Sequence, residues 1–132
     1  MERTLDGQWI GRYTYGFGKP VPFEARLTQS GTAVEAEVRE PNTFARGQGA
    51  ELAATMQGDL TGATVTLTKR YSFAQSDSPR YTGQLDAARD RITGTWRFPS
   101  LPGQSGTFSM VRKPRAAARA ARRTAQTADL DT

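Results

Sequence analysis

The chain has 132 residues, of which 36% are hydrophobic, and it contains no cysteine and no histidine. Its length suits one domain with a modest core. The missing residue types exclude a disulfide framework and remove the usual general base and the commonest metal ligand, so we predict no catalytic residue, metal or cofactor. No apolar run resembles a signal peptide or approaches the roughly 20 residues of a membrane span, which predicts a cytoplasmic protein without a membrane partner.

The formal net charge of +5 is unevenly distributed along the chain. Residues 1–111 hold twelve Lys/Arg and eleven Asp/Glu, whereas residues 112–132 hold six Lys/Arg and two Asp. Residues 1–111 are therefore nearly neutral. We predict a domain over 1–113, followed by a basic Arg/Ala-rich tail over 114–132 that is disordered or helical. The tail could touch phosphates, but a solvated tail is the favoured interpretation, and nucleic acid is not a favoured partner.

Apolar and polar residues alternate with period two through most of the chain before Lys113, which is typical of strands. Eight strands are predicted in order: Gln8–Tyr15, Val21–Thr28, Val34–Arg39, Glu51–Gln57, Thr64–Phe73, Tyr81–Leu85, Ile92–Phe98 and Phe108–Met110. Each has one apolar face and one polar face. The fold class is therefore all-β, and an eight-stranded antiparallel up-and-down barrel is favoured because closure leaves no exposed edge. An open sandwich is the alternative.

Alternate connections of such a meander fall at the same end of the barrel. Those after the first, third, fifth and seventh strands are mostly long and rich in Pro and Gly: 16–20, 40–50, 74–80 and 99–105. The connections at 29–32, 58–63 and 86–91 are tighter. We call these two ends the long-loop end and the tight-turn end. Binding sites usually lie on long loops carried by a rigid scaffold, which favours the long-loop end.

Inward-facing residues near the long-loop end are mostly aromatic, and several small residues lie in the middle of the barrel. An eight-stranded barrel is close to the size at which it can hold one small ligand. The predicted ligand-binding residues are Tyr15, Phe23, Lys69, Tyr71, Tyr81, Trp96 and Phe98. The alternative is a well-packed aromatic core without a cavity.

Lys69 is the one charged residue predicted in the inward register, between Leu67 and Tyr71. A buried ammonium needs a partner, and its pKa falls without one, so Lys69 could bind a ligand carboxylate or form a Schiff base. The alternatives are a bulge that turns it outward and a side chain that extends to the mouth of the barrel to keep its ammonium in water. Other strand carboxylates, such as Glu24 and Glu35, alternate outward, which argues against a paired-carboxylate glycosidase site.

Gly7-Gln8-Trp9 opens the first strand and Arg112 ends the last one, so both reach the tight-turn end. A guanidinium over an indole ring contributes about 0.5–2 kcal/mol and would close the barrel floor. This combination resembles the calycin barrels (lipocalins, fatty-acid-binding proteins and avidins), in which a first-strand Trp lies under a basic residue of the last strand.

The C-terminal half is most similar to the avidins, through Thr82-Gly83-Gln84-Leu85, Arg91-Ile92-Thr93-Gly94-Thr95-Trp96 and Thr107-Phe108. By this resemblance Trp96 corresponds to a Trp that lines the avidin biotin site. Gly11 and Gly106 stand where avidins carry the Asn and Asp that bind the ureido group. The resemblance therefore implies the barrel and not biotin binding.

The sequence thus predicts a small-ligand-binding barrel, more in keeping with a binding protein than with an enzyme, for a planar or apolar molecule of unknown identity. One alternative is a filled barrel that acts as an interaction or structural protein. A calycin-type isomerase or cyclase using Lys69 and tyrosines is a weaker alternative. A homo-oligomer is compatible with the sequence.

Overall fold

A computed structural model of the chain describes residues 4–14, 19–43, 47, 49–72, 78–101 and 103–114. The elements are eight strands: β1 (Gly7–Tyr13), β2 (Val21–Ser30), β3 (Ala33–Pro41), β4 (Glu51–Thr61), β5 (Thr64–Tyr71), β6 (Arg80–Leu85), β7 (Arg91–Arg97) and β8 (Ser105–Arg112). The tail predicted over 114–132 lies outside the described residues, apart from Pro114. No helix able to span a membrane is found in the described part of the chain.

Each strand pairs antiparallel with its sequence neighbours, and β1 also pairs with β8, from Trp9 opposite Arg112 to Tyr13 opposite Phe108. The order β1 to β8 therefore closes into a barrel. This confirms the predicted fold class and excludes the open sandwich.

Two of the tight turns are two-residue hairpins, Gly31-Thr32 and Gly62-Ala63. Gly31 and Gly62 have φ angles of 62° and 61°, a region that a residue without Cβ enters without strain. The connections at the other end, 14–20, 42–50, 72–79 and 98–104, are longer. The barrel thus has the predicted long-loop and tight-turn ends.

The core lies inside the barrel. Buried positions alternate with exposed ones along the strands, as in β2, so the buried side chains share the inner face. Most strand boundaries differ from those predicted by one to three residues. The most consequential difference is at β3, which extends to Pro41, so that Glu40 belongs to the strand and not to the connection.

The floor at the tight-turn end is closed by the segment that precedes β1. Leu5 is fully buried, and its carbonyl accepts a 2.9 Å hydrogen bond from Trp9 Nε1. Its backbone NH donates to the Gln29 side chain at 2.9 Å. The Leu5 side chain therefore closes the barrel at its tight-turn end. The alternation pattern did not predict this closure.

Arg112 holds this closure together. Its guanidinium carbon lies 4.9 Å from the centroid of the Trp9 ring, so the contact expected from the sequence is present. The guanidinium also donates to the carbonyls of Thr4 and Asp6, at 2.8 and 2.9 Å, and pairs with Asp90 at 3.1 Å. One side chain at the end of β8 thereby fastens the start of the chain to the barrel floor.

Candidate functional site

The aromatic residues predicted to bind ligand all face the interior, as far as they are described. Phe23, Tyr81 and Trp96 are buried, whereas Tyr71 and Phe98 are half-buried. Tyr15 lies outside the described residues. The five described side chains therefore form a group that runs from the core to the mouth at the long-loop end.

These rings are in contact with one another. Trp96 meets Tyr13 edge-on at 6.1 Å between centroids and Phe98 at 5.9 Å, and Tyr81 lies 6.4 Å from Trp96. Trp96 Nε1 donates to the Thr14 carbonyl at 2.9 Å, so the polar atom of this indole is already satisfied. Trp96 is thus held in place from two sides.

Lys69 faces inward as predicted, and only 1% of its surface is exposed. The bulge alternative is therefore excluded. Its Nζ donates to Oε1 of Glu40, which is 2% exposed. The sequence interpretation missed this partner, because it placed Glu40 in the connection after β3 and treated Lys69 as the only inward charge.

Glu40 nevertheless continues the inward phase of Val34, Ala36 and Val38. In the sequence, this phase was the available signal that Glu40 faces inward. The neighbouring Pro41 obscured it, because a proline at that point suggests a turn.

Two tyrosine hydroxyls complete the site around Glu40. Tyr13 Oη donates to Oε2 at 2.5 Å, and Tyr71 Oη lies 3.2 and 3.3 Å from the two carboxylate oxygens. The Lys69 ammonium also lies 4.8 Å from the ring centroids of Tyr13 and Tyr71, and 5.7 Å from that of Tyr81. We call these five residues the Glu40–Lys69 cluster.

Burial lowers the pKa of Lys69, and the adjacent Glu40 carboxylate opposes this effect by attraction and by its hydrogen bond. In the described residues no buried side-chain polar atom lacks a hydrogen-bond partner. The cluster is thus an internally neutralised ion pair whose polar atoms have partners within the protein.

The middle of the barrel is filled by aromatic rings at two of its glycines. A Cβ at Gly11 would lie 2.3 Å from the Phe23 ring, and one at Gly83 would lie 2.8 Å from the Phe108 ring. The small residues were expected to leave free space. At these two positions they instead make room for rings that cross the interior.

Two surface clefts, of about 430 and 420 Å³, lie on the outside of the barrel. They are lined mainly by outward-facing charged and polar residues of β1–β4, such as Glu37 and Arg26. Neither is at the predicted ligand site. Tyr71 and Phe98, the half-buried members of the predicted site, belong to the long-loop end, where residues 15–18, 44–46, 48, 73–77 and 102 lie outside the described part of the chain.

The structure also gives a physical reason for the departures from the avidin pattern. A Cβ at Gly106 would lie 1.6 Å from the Thr14 carbonyl oxygen, so the backbone excludes any side chain there. The Phe23 ring occupies the corresponding space at Gly11. Neither position can present a polar side chain to the interior without rearrangement.

Comparisons of this chain with protein-family models, with curated proteins and with solved structures found no match. The resemblance to the avidins therefore stays a prediction from the sequence, and what the site does must be argued from its own geometry.

Proposed function

We propose that this protein is a non-enzymatic binding barrel that takes a small, uncharged, planar or apolar ligand at its long-loop end. The observation that carries the proposal is the Glu40–Lys69 pair. In the described part of the chain these are the two buried charged residues. Both belong to the end with the long connections.

A buried ion pair is a poor choice for stability alone. Withdrawing two charges from water costs several kcal/mol per ion, and replacing such a pair with apolar side chains of similar volume is often neutral or stabilising. The rest of the described core is built from apolar and aromatic side chains. A polar cluster set into such a core supports a role in recognition.

The cluster also limits the charge of the ligand. An anion could reach the Lys69 ammonium only by displacing the Glu40 carboxylate, and a cation would have to displace the ammonium from the tyrosine rings. An uncharged ligand meets neither obstacle. Such a ligand can form a hydrogen bond with the half-buried Tyr71 hydroxyl, and its apolar part can pack on the ring of Phe98.

Tryptophan fluorescence can test the location, because Trp96 is near the mouth and Trp9 is at the floor. Nile red, an uncharged planar dye, is titrated into the variants Trp9→Phe and Trp96→Phe. We expect quenching in Trp9→Phe, which retains Trp96, and little in Trp96→Phe. Tyr71→Phe removes one hydroxyl and keeps the ring, so it should still bind the dye.

Quenching confined to Trp9, or no binding by Nile red together with no small molecule retained in native mass spectrometry, would contradict the proposal. The second candidate, a filled barrel that acts through its outer surface, would then be preferred. The rings over Gly11 and Gly83 are the observation that favours this candidate.

A further inference from the structure

The register of the strands separates the charges of the outer surface into two walls. The outward positions of β5–β8 carry four arginines and no aspartate or glutamate: Arg70, Arg80, Arg91 and Arg97. Those of β2–β4 carry five carboxylates and two arginines: Glu24, Glu35, Glu37, Glu51, Asp59, Arg26 and Arg39. Since β3 and β7 are four strands apart in a ring of eight, the two walls lie on opposite sides of the barrel.

Three arginines of the basic wall, Arg70, Arg80 and Arg97, form what we call the arginine patch. Arg80 is directly opposite Arg97 in the β6–β7 register, and Arg70 is two residues beyond Thr68, the β5 partner of Arg80. Like charges placed directly opposite each other on neighbouring strands are destabilising. The patch thus accumulates positive charge at the half of the wall nearer the long loops.

The arginines of the opposite wall are arranged differently. Arg39 makes a 3.2 Å ion pair with Glu51, and Arg26 is directly opposite Glu37. The structure shows no such ion pair between the arginine patch and a carboxylate among the residues it describes. With respect to the carboxylates that the structure describes, the patch is therefore available to an external anion.

A row of hydroxyl groups runs beside the patch. Thr66, Thr82, Thr95 and Thr107 are consecutive partners across β5–β8. The row continues to Thr14, whose Oγ1 lies 2.9 Å from that of Thr107. Their side chains are exposed or half-exposed, so the wall combines guanidinium and hydroxyl donors over four strands.

These donors match phosphate oxygens. Arg, Ser and Thr side chains make many of the protein contacts to nucleic-acid phosphates. The outward positions of β5–β8 carry no aromatic, leucine, isoleucine or methionine side chain, which disfavours insertion into a membrane and the apolar centre of a protein interface. We infer that this basic wall binds the phosphodiester backbone of nucleic acid, without choice of base sequence.

The attraction of the wall for polyanions comes from its own arginines and not from the overall charge of the chain. Residues 1–111 hold twelve Lys/Arg and eleven Asp/Glu, so the barrel is nearly neutral as a whole and its positive charge is concentrated on this wall. Without aromatic side chains on the wall there is no platform for stacked bases, so binding should depend mainly on charge and on salt.

The test is the salt dependence of binding to a fluorescein-labelled mixed-sequence oligonucleotide of about 24 nucleotides, followed by anisotropy with the full chain. Three double variants are compared with the natural sequence: Arg80→Gln/Arg97→Gln, its matched control Arg26→Gln/Arg39→Gln on the opposite wall, and Arg119→Gln/Arg122→Gln in the tail. Each removes two positive charges, and thermal melts verify that each remains folded.

For single strands, the slope of log K against log salt changes by about 0.7 for each phosphate that the protein no longer neutralises. For the Arg80/Arg97 variant, this slope should therefore be shallower by about 1.4 than for the natural chain. Raising the salt from about 50 to 200 mM weakens the binding of both proteins, and the factor by which it weakens should be about sevenfold smaller for the variant. The Arg26/Arg39 control should keep the natural slope.

The inference would be overturned by equal slopes in the Arg80/Arg97 and Arg26/Arg39 variants, by a shallower slope in the tail variant alone, or by no binding at low salt. Sedimentation of the protein without nucleic acid tests one more possibility, that the wall joins two copies of the chain. A dimer that dissociates in the Arg80/Arg97 variant would show that the wall is an interface between copies, and this too would overturn the inference. None of these outcomes depends on whether a small ligand binds inside the barrel.

Discussion

Removing one member of the Glu40–Lys69 pair should be far more damaging than removing both charges. Lys69→Met keeps most of the side-chain volume but leaves the Glu40 carboxylate buried without its cation. Breaking a buried pair in this way costs about 3–5 kcal/mol. The hydroxyls of Tyr13 and Tyr71 still donate to the carboxylate, so we expect the lower part of that range.

The double variant Glu40→Gln/Lys69→Met should recover much of this loss. It buries no charge, and the amide oxygen introduced at position 40 can still accept from the two tyrosine hydroxyls. We expect it to be less stable than the natural chain by only about 1–2 kcal/mol, the magnitude of imperfectly replaced hydrogen bonds. The coupling between the two sites should then be at least about 2 kcal/mol.

Urea unfolding followed by circular dichroism measures these differences, provided that the m-values of the variants agree. Lys19→Met, at an exposed position, is the matched control and should change the unfolding free energy by no more than about 0.5 kcal/mol. Additive effects at Glu40 and Lys69, or a Lys69→Met variant as stable as Lys19→Met, would refute the interpretation of the cluster as a tightly coupled buried pair.

Three further predictions concern the floor, the pH dependence and the tail. Trp9→Ala should lower the unfolding free energy by about 3–5 kcal/mol. A double-mutant cycle with Arg112→Met should show a coupling of at least about 0.5 kcal/mol between the two residues. Strictly additive effects would mean that the ring and the guanidinium do not interact. Burial lowers the pKa of Lys69 in the folded protein. Between that lowered pKa and the ordinary value of 10.5, the unfolded chain therefore binds more protons than the folded protein does. The unfolding free energy should rise with pH across this window. This rise, measured by urea unfolding at several pH values, should disappear in Lys69→Met; its persistence would assign it to other groups. A chain ending at Lys113 should melt within a few degrees of the full chain, and a large loss of thermal stability would show that the tail docks on the barrel.

The period-two alternation was sufficient to predict the eight strands, the two unlike ends of the barrel and the inward direction of Lys69. These features depend on local sequence, since each residue's face is fixed by its phase within a strand. Trp9 and Arg112 could also be paired in advance, because an up-and-down order places the start of β1 and the end of β8 together.

The site itself was only partly predictable. Glu40 was missed because a carboxylate beside a proline resembles a turn, and its burial depends on a cation 29 residues away on another strand. The rings that occupy the space over Gly11 and Gly83 were not predicted, for a related reason. Whether Gly11 leaves a cavity depends on how far the Phe23 ring reaches across from β2, and no pattern within β1 contains that distance.

The pairing of β1 with β8 has a consequence for the order in which the barrel can form. Trp9 and Arg112 lie near opposite ends of the described chain. Of the strand pairings in the barrel, the β1–β8 seam therefore joins residues of the greatest sequence separation, and it should be the slowest to form. During synthesis, β1 and each newest strand remain open edges until β8 has left the ribosome, and open edges invite pairing with other chains. Substitutions that weaken the seam, Arg112 above all, should therefore first appear as aggregation of newly made protein and only afterwards as a lower melting temperature of the molecules that have closed.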